Sequence, residues 1–448
     1  MASAPEFFER AMQVLATDPP LAYRLLVSAA QADPTLRQVW FEMAAIQANS
    51  GMRHAAIASW HRAIAGRGPD DLVAKSLVNI GHRYYQLGDF DAGWEWTQKA
   101  IAANPKNAYP WENLCAICIQ RGEVDEAVEY ARLGFDLSQE PVTEVALALA
   151  LLNAGQWAEG LKHFQARFPY SMHDVEKHPH PKWDGKPVRH LLVIGEQGLG
   201  DTLSFARFVP WAARRADELV LSVQAELVRL LAPAMPHNVT FAAPTQRQTF
   251  HPADAYIPIM SLPVALGMDD RHIAECADLN YDVVVSRPKT GRLRVGISWA
   301  GSAANMHNAW RSIPFPLLLE WAAIPGVDLV SLQVGAEAED VRKHGADALV
   351  EDVSHYLKDA AMTAEYIATE IDLVVTIDSF LGHLCGSIGV PCWVMVASKA
   401  GDWRLGRHGD KPALWYHDTH LVFRQGQDGL WGPVIAEVGK KLTERLEK

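Results

Sequence analysis

The sequence lacks long apolar runs, has few cysteines and contains no block of basic residues. No apolar stretch approaches the roughly 20 residues that a membrane-spanning helix needs, and the first residues lack the basic start and apolar core of a secretory signal. The five cysteines are an odd number in a chain of 448 residues, which argues against a disulfide framework. We therefore expect a cytoplasmic protein without membrane insertion.

Positive charge is also scarce, because 41 lysines and arginines face 53 aspartates and glutamates and the formal net charge is −12. A protein that binds nucleic acid or an anionic membrane electrostatically needs a basic surface, so both partners are disfavoured. A local basic pocket for a phosphorylated small molecule remains compatible with this balance. Apolar residues make up 49% of the chain, and its length predicts two to four domains with sizeable cores.

Four glycines recur at similar intervals in the first third of the chain. Gly51, Gly88, Gly122 and Gly155 each lie between two helical patterns, at intervals of 37, 34 and 33 residues. These intervals approach the tetratricopeptide period of about 34 residues. Small residues let the paired helices approach each other, and large ones fill the space between them. We therefore predict a tetratricopeptide repeat array over residues 1–168.

Stacked repeats of this kind curve around a concave groove. We expect the groove to bind a polypeptide, and the alternatives are a rigid spacer or a surface for homo-oligomerisation. The polar side chains available to line it are those of Asn79, His82, Asn113 and Gln120.

Two features invite metal or redox chemistry, but the surrounding residues favour neither. Cys115-Ala-Ile-Cys118 falls on repeat-helix positions that normally face inward, so we expect buried packing. His173, His178 and His180 lie in a predicted irregular linker, residues 169–187, without a cysteine or carboxylate at ligand-like spacing. We therefore predict no metal site.

From residue 190 onward, short apolar runs alternate with helical patterns, as in βαβ units that form a parallel sheet. The run divides into two halves, residues 188–290 and 291–448, which each open with a strand and a glycine-containing loop. This arrangement predicts two Rossmann-like domains that face a cleft. The predicted strands are 191–195, 218–223, 238–241 and 255–258 in the first half, and 294–299, 327–332, 372–377 and 391–395 in the second.

Ligands of open parallel sheets bind at the carboxyl ends of strands, where helix N-termini offer free N–H groups. The first such place is the loop 195–201, which runs Gly-Glu-Gln-Gly-Leu-Gly-Asp. Its glycines follow the order G-x-x-G-x-G and no G-K-[ST] follows. The loop therefore matches neither the dinucleotide fingerprint nor a P-loop.

The second place is Trp299-Ala-Gly-Ser302 together with Arg311-Ser312. Ser312 is predicted to cap a helix whose first turn contains Pro314, which would put Arg311 beside a helix N-terminus, a favourable position for a phosphate. The alternative is a surface arginine beside an ordinary cap.

The third place is the run 376–384, in which a buried strand ends in Asp378-Ser379 at the start of a helix. A ligand site is one interpretation of this run. The alternatives are that Asp378 is an N-cap and that His383 is a packed histidine.

Taken together, these segments resemble bacterial tetratricopeptide proteins with a C-terminal domain of the heptosyltransferase-like superfamily, which is glycosyltransferase family 9-like. The resemblance covers nearly the whole chain, and it implies a GT-B fold, a nucleotide-sugar donor bound mainly by the second half without a metal or cofactor, and an active site in the cleft. The segments that carry it are Trp183-Asp-Gly185, Gly195–Leu203, Gly296–Gly301, Arg311-Ser-Ile313, Ser331-Leu-Gln333, Ile377-Asp-Ser379, His383-Leu384, Asp402-Trp-Arg404 and Phe423-Arg-Gln425.

The resemblance also implies roles for individual residues. Asp201 matches the aspartate that serves as general base and takes the proton of the acceptor hydroxyl in an inverting transfer. Arg311 and the helix N-terminus that begins at Ser379 would stabilise the departing nucleotide phosphate in place of a divalent cation.

The other donor-binding expectations are less specific. Gln333 and Asp378 would hydrogen-bond the donor, and His383 would support the site from the same helix. The remaining residues expected to bind the donor are Gln197, Gly198, Gly200, Ser302 and Ser312.

The sequence departs from the heptosyltransferase pattern in two ways. Those enzymes have a lysine near the donor phosphates, whereas residues 303–310 contain none and Arg311 is the nearest cation. The second departure is the repeat array, which the lipopolysaccharide enzymes lack. Repeats fused to a GT-B enzyme are similar to O-linked N-acetylglucosamine transferases, although the sequence does not show their catalytic motifs, and to bacterial flagellin glycosyltransferases, which implies a protein acceptor. The alternatives are an inactive repeat scaffold and a glycan-modifying transferase whose repeats serve oligomerisation.

Overall fold

The structure is a computed structural model that describes residues 3–170, 178–242, 253–276, 279, 281, 283, 291–302, 308–398, 401–405, 415–416, 420–426 and 428–447. The chain divides into two compact units, Met1–Ala150 and Leu151–Lys448. The sequence pattern places the boundary between repeats and linker at residue 168, whereas the contacts group residues 151–168 with the second unit. None of the described helices is both long enough and apolar enough to cross a bilayer.

The described part of the first unit consists of helices that pack as consecutive antiparallel pairs, which is the architecture of tetratricopeptide-like repeats. Its helices are α1 (Ala4–Val14), α2 (Pro19–Ala32), α3 (Arg37–Asn49), α4 (Arg53–Ala65), α5 (Asp71–Leu87), α6 (Phe90–Ala103), α7 (Tyr109–Arg121), α8 (Val124–Leu137) and α9 (Pro141–Asn153), the last of which continues into the second unit.

The pair α5–α6 shows why the periodic glycines are needed. Gly88 ends α5 with φ +77, a left-handed conformation that favours glycine, and the Asp89 side chain then caps α6 by accepting from Ala92 N–H. A Cβ atom on Gly81 would lie 2.4 Å from Thr97 Oγ1, so the two helices approach too closely for a larger residue. Turn chemistry and helix contact therefore both follow from the repeat pattern.

The cysteine pair of α7 packs inward, as predicted. Cys115 and Cys118 are 1% and 0% exposed, and burial raises the pKa of both thiols, that of Cys118 to about 12. Asn113, a candidate for the groove lining, is instead 4% exposed and donates to the Val78 carbonyl oxygen at 3.1 Å. Its amide therefore joins two repeats and does not face a partner.

After the end of α9, the second unit contains α10 (Trp157–His163) and the 3-10 helix Phe164–Tyr170, which are followed by a four-stranded parallel sheet in the order β3-β2-β1-β4. Of the predicted linker, residues 171–177 lie outside the described residues. The elements of this part are β1 (Val188–Ile194), α11 (Leu199–Ala206), α12 (Val209–Ala213), β2 (Ala216–Ser222), α13 (Ala225–Leu231), β3 (Val239–Ala242), β4 (Ala255–Pro258), α14 (Leu262–Ala265) and α15 (Asp270–Ala274).

A six-stranded parallel sheet follows in the order β10-β9-β8-β5-β6-β7. Every residue of β8 and β9 is buried, as expected for central strands that helices cover on both faces. The elements are β5 (Leu293–Ser298), α16 (Asn308–Arg311), α17 (Phe315–Leu318), β6 (Val327–Ser331), α18 (Asp340–Lys343), β7 (Val350–Asp352), α19 (Ala360–Glu370), β8 (Leu373–Ile377), α20 (Phe380–Ile388), β9 (Cys392–Val396), β10 (His420–Arg424) and α21 (Gly432–Leu446).

Each sheet reverses its order beside its first strand. In the first sheet β2 and β3 extend from one side of β1 and β4 pairs on the other, and in the second sheet β6 and β7 extend from one side of β5 while β8 pairs on the other. Such switch points leave a crevice at the carboxyl ends of the strands. The loops after β1, β5 and β8 all begin there.

Candidate functional site

The loop after β1 places Asp201 in the first turn of α11. Gly198 is the N-cap, and its N–H donates to Asp201 Oδ2 at 3.0 Å. Gln197, just before the cap, has φ +59. Among the described residues it is the one residue other than glycine that has a positive φ. Backbone in this region is disfavoured for glutamine and is found where the surroundings enforce it, often at functional sites.

The other carboxylate oxygen of Asp201 is bound by Arg404, which lies between β9 and β10 of the second sheet. Arg404 Nη2 lies 2.6 Å from Asp201 Oδ1, and Arg404 Nη1 donates to Ser204 Oγ at 2.5 Å. Arg404 Nε lies 2.9 and 3.0 Å from the two oxygens of Asp402. The arginine side chain is only 4% exposed, so this is a buried ion network between two carboxylates.

Sequence reasoning did not include Arg404 among the site residues, although it belongs to the quoted Asp402-Trp-Arg404 segment. The available signal was a cation two residues after an acid in a loop that follows a buried strand. Only the fold brings that cation to Asp201.

Gly200 and His383 explain how closely α11 and α20 pack. A Cβ atom on Gly200 would lie 2.3 Å from His383 Cδ2, so a glycine is required at this contact. His383 Nδ1 shares a hydrogen bond of 2.5 Å with Tyr416 Oη. Burial, then the positive charge of Arg404, lowers the pKa of His383 to about 3, and the imidazole is therefore neutral near pH 7.

Asp378, directly after β8, is a buried carboxyl with an unusual charge state. Its Oδ2 accepts from the Asp402 N–H at 3.1 Å, and 8% of the residue is exposed. Burial, then repulsion by Asp402, raises the pKa of Asp378 to about 7, while Arg311 and Arg404 oppose the rise. Asp402 behaves in the opposite way: burial alone would raise its pKa, but the ion pair with Arg404 lowers it to about 2.

Asp378, His383 and Asp402 offer ligand atoms within 4.8 Å of one another, which is a geometry that metal ions use. Here the Asp402 carboxylate is bound by the Arg404 guanidinium, and Arg311 adds a second positive charge beside Asp378. Two fixed cations repel a metal ion, so this donor set fits an ion-pair network better than a metal centre.

Arg311, the last residue of α16, reaches the same place from the loop after β5. Its Nη1 donates to the Asp378 carbonyl oxygen at 2.9 Å, and a Cβ on Gly301 would lie 2.4 Å from its Nη2. No described residue accepts a hydrogen bond from its buried Nε. Arg311 therefore contacts the residue that directly precedes Ser379, the N-cap of the nine-residue helix α20, and its buried Nε has no partner among the described residues.

The prediction that Ser312 caps the next helix is wrong. Helix α17 begins at Phe315 with Pro314 as its N-cap and has no side-chain cap, while Ser312 Oγ donates to Asn308 Oδ1 at 3.2 Å. Ser312 lies too far from the helix start because the chain is extended at Pro314, whose φ and ψ are −57 and 117. Arg311 is thus associated with the N-terminus of α20 and not with that of α17.

Gln333, expected to hydrogen-bond the donor, is 3% exposed and uses its whole amide within the protein. Its Oε1 accepts from Ser298 Oγ, Trp299 N–H and Ala300 N–H, and its Nε2 donates to the Ala300 and Val334 carbonyl oxygens. An amide in this state holds the loop after β5 and has no capacity left for a ligand.

The structure places the remaining predicted residues in and around these loops. Gln197, Gly198 and Ser302 are exposed, and Ser379 Oγ shares a hydrogen bond of 3.1 Å with Thr376 Oγ1. Residues 303–307, the main part of the segment that has no lysine, lie outside the described residues. Asp201, Asp378, His383 and Arg311 are therefore linked through Arg404 and Asp402, whereas Gln333 and Ser312 serve local structure.

No family model matches the sequence. Protein FlbA of Caulobacter vibrioides is 23% identical over 422 residues, which cover 86% of this chain and 69% of that protein. The APC/C hetero-tetramer Cut9-Hcn1 is 15% identical with a TM-score of 0.34, over 37% of this chain and 33% of that chain, so this chain spans about a third of its length. A thermophilic TPR protein of Thermus thermophilus is 18% identical with a TM-score of 0.33, over 39% of this chain and 94% of that one.

Proposed function

We propose that this chain is a glycosyltransferase that uses a nucleotide-sugar donor and that its helical repeats bind a protein acceptor. The observation that carries the proposal is the position of a carboxylate, Asp201, and of an arginine whose Nε has no partner among the described residues, Arg311, in the loops at the switch points of the two parallel sheets. A GT-B arrangement and the heptosyltransferase-like motifs are consistent with this reading, because both put acceptor chemistry on the first sheet and donor phosphates on the second.

The proposed reaction is an inverting transfer. The acceptor hydroxyl gives its proton to Asp201 while its oxygen forms a bond to the anomeric carbon, and the bond from that carbon to the phosphate oxygen breaks on the opposite face. The nucleoside diphosphate leaves with the electron pair. Arg311 and the free N–H groups at the start of α20 stabilise the new negative charge, so no metal ion is needed.

The engaged state of Asp201 is compatible with this role. Each carboxylate oxygen has two lone pairs, and the contacts with Arg404 and with the Gly198 N–H use one on each oxygen. One lone pair on each oxygen is left for the acceptor proton. The side chain is 22% exposed, so an acceptor hydroxyl can approach it.

The second candidate function is a repeat scaffold whose α/β unit binds a nucleotide without turnover. The observation that favours it is the same ion pair, because Arg404 already takes one lone pair of the carboxylate that would have to accept the proton. A reaction assay separates the two candidates, since only a transferase consumes the donor.

The first experiment is a thermal-shift screen of the full chain with nucleoside monophosphates, nucleoside diphosphates and nucleotide sugars. A ligand at 100 times its Kd stabilises the folded state by about 2.7 kcal/mol. We expect a diphosphate nucleotide to stabilise the wild type and Arg311→Ala to lose the shift. Arg292→Ala, which removes a half-exposed arginine paired with Asp328 beside the same sheet, is the matched control and should keep it.

The second experiment measures donor hydrolysis and transfer to candidate polypeptides by mass spectrometry. Loss of turnover in Asp201→Asn with retained nucleotide binding supports the transferase. Nucleotide binding without turnover in the wild type supports the scaffold. If no nucleotide stabilises the protein, the proposed donor site is wrong.

A further inference from the structure

Glu196, which follows β1 by two residues, is anchored by an arginine from outside both sheets. Arg167 Nη2 lies 2.5 Å from Glu196 Oε1, and Arg167 Nε lies 3.0 Å from Glu196 Oε2, so the two groups form a bidentate pair. The Met260 N–H, just beyond β4, also donates to Glu196 Oε1 at 3.2 Å. The anchor therefore lies at the switch point between β1 and β4.

Both partners of this ion pair are buried, with Glu196 1% and Arg167 4% exposed. The other donors of Arg167 are also used: Nη1 donates to the Phe164 carbonyl oxygen at 2.9 Å, and Nη2 donates to Ser261 Oγ at 3.1 Å. A buried pair with this degree of satisfaction is tolerated, whereas removal of one partner leaves a costly unpaired charge. Among the described residues, Arg167 is the one arginine whose guanidinium contacts Glu196.

The anchored residue directly precedes the strained turn of the site. Gln197 follows with φ +59, and Gly198 then caps α11 and binds Asp201 Oδ2. Thr202 Oγ1 reaches back to the Glu196 carbonyl oxygen at 3.4 Å. A backbone conformation of this kind costs about 1–3 kcal/mol and persists only where its surroundings enforce it. Glu196, which is held by Arg167, lies at one end of this turn.

We propose that Arg167 is a positioning residue for Asp201, acting through Glu196 on the turn 195–198. Arg167 lies in the 3-10 helix that follows α10, at the end of the region whose pattern predicts repeats. The segment after the last repeat helix is therefore part of the site. The inference rests on the proposed function only because that function gives Asp201 a reaction to perform.

The test is hydrogen exchange with mass spectrometry on the full chain, because local opening of a backbone segment raises its exchange rate. In Arg167→Ala we expect the peptide covering residues 195–203 to exchange about tenfold faster, while a peptide covering β5 is unchanged. Arg167→Lys keeps the charge but not the bidentate geometry, so it should give an intermediate rate. Arg294→Ala, which breaks a partly buried pair with Glu351, is the matched control and should leave the 195–203 peptide unchanged.

A double variant separates positioning from stability. Arg167→Met with Glu196→Leu replaces the buried pair by apolar side chains of similar size, which commonly preserves or raises stability. We expect this variant to melt like the wild type but to keep fast exchange over residues 195–203. If the enzyme turns over a donor, kcat should fall about tenfold or more in the double variant with an unchanged donor KM, because the Arg311 side is intact.

Unchanged exchange over residues 195–203 in Arg167→Ala would overturn the inference, as would a double variant with wild-type exchange and turnover. An absence of turnover in the wild type would contradict the proposed function instead. In that case the exchange data alone decide whether Arg167 holds the turn.

Discussion

Replacing Asp378 with asparagine is expected to raise the free energy of unfolding by an amount that grows between pH 4 and pH 8. Burial and the neighbouring Asp402 raise the pKa of Asp378 from 3.8 in the unfolded chain to about 7 in the folded protein. The folded state therefore binds more protons than the unfolded state across this window, and the wild type loses stability as pH rises through it. The asparagine variant lacks this loss.

One unit of pKa difference corresponds to about 1.36 kcal/mol, so the gain is on the order of a few kcal/mol at pH 8 and well below about 1 kcal/mol at pH 4. The asparagine Oδ1 can still accept from the Asp402 N–H, so the backbone contact at 3.1 Å is retained. His383, with its pKa lowered to about 3, adds stability as pH rises from 3 to 6.5. That contribution is common to both proteins and cancels in the difference.

Urea unfolding of both proteins at intervals from pH 4 to pH 8 measures the effect. Asp372→Asn is the matched control, because Asp372 also accepts a backbone N–H, from Arg294, at the amino end of β8. Two parallel stability curves for wild type and Asp378→Asn would refute the assignment of a raised pKa. So would a gain that shrinks as pH rises.

Two further predictions concern packing and the domain boundary. Gly200→Ala places a Cβ 2.3 Å from the imidazole on α20 and should cost about 1–3 kcal/mol of unfolding free energy, whereas Gly432→Ala, whose Cβ meets no atom within 4 Å, should cost little. Equal losses in urea unfolding would contradict this. A chain of residues 151–448 is expected to melt cooperatively. A chain of residues 171–448 is not, because it lacks Arg167 and leaves the buried carboxylate of Glu196 unpaired. Equivalent calorimetric transitions would show that the boundary is misplaced.

The repeat array and both sheets could be predicted because their signals are local. Gly88 ends a helix through its own backbone conformation, and the continuous apolar run of β8 is typical of a parallel strand that is buried on both faces. Two strands were missed because their local signals are weak. The β7 strand is three residues long and contains two charged side chains, so its local pattern is weak. The edge strand β10, His420–Arg424, begins and ends with a polar residue.

The positions of some candidate residues could be predicted, and their roles stay predictions. Asp201 and Arg311 were chosen in loops that lead from a strand to a helix, and Asp378 at a strand end, and in the structure they follow β1, β5 and β8. The roles of Gln333 and Ser312 differed from expectation, because hydrogen-bond partners nearby in space consumed their polar groups. Whether a polar side chain faces a ligand or the protein depends on the surrounding loops, which residue type does not reveal.

The sequence by itself determined the helical hairpins and the approximate positions of eight of the ten strands that the structure describes, because periodicity and capping act over a few residues. Only the tertiary structure decided which charges meet. Arg404 and Asp201 are 203 residues apart in sequence, and Arg167 and Glu196 are 29 apart. Buried charges are tolerated only when paired, so the identity of each partner depends on the packed arrangement of both sheets and not on any local pattern.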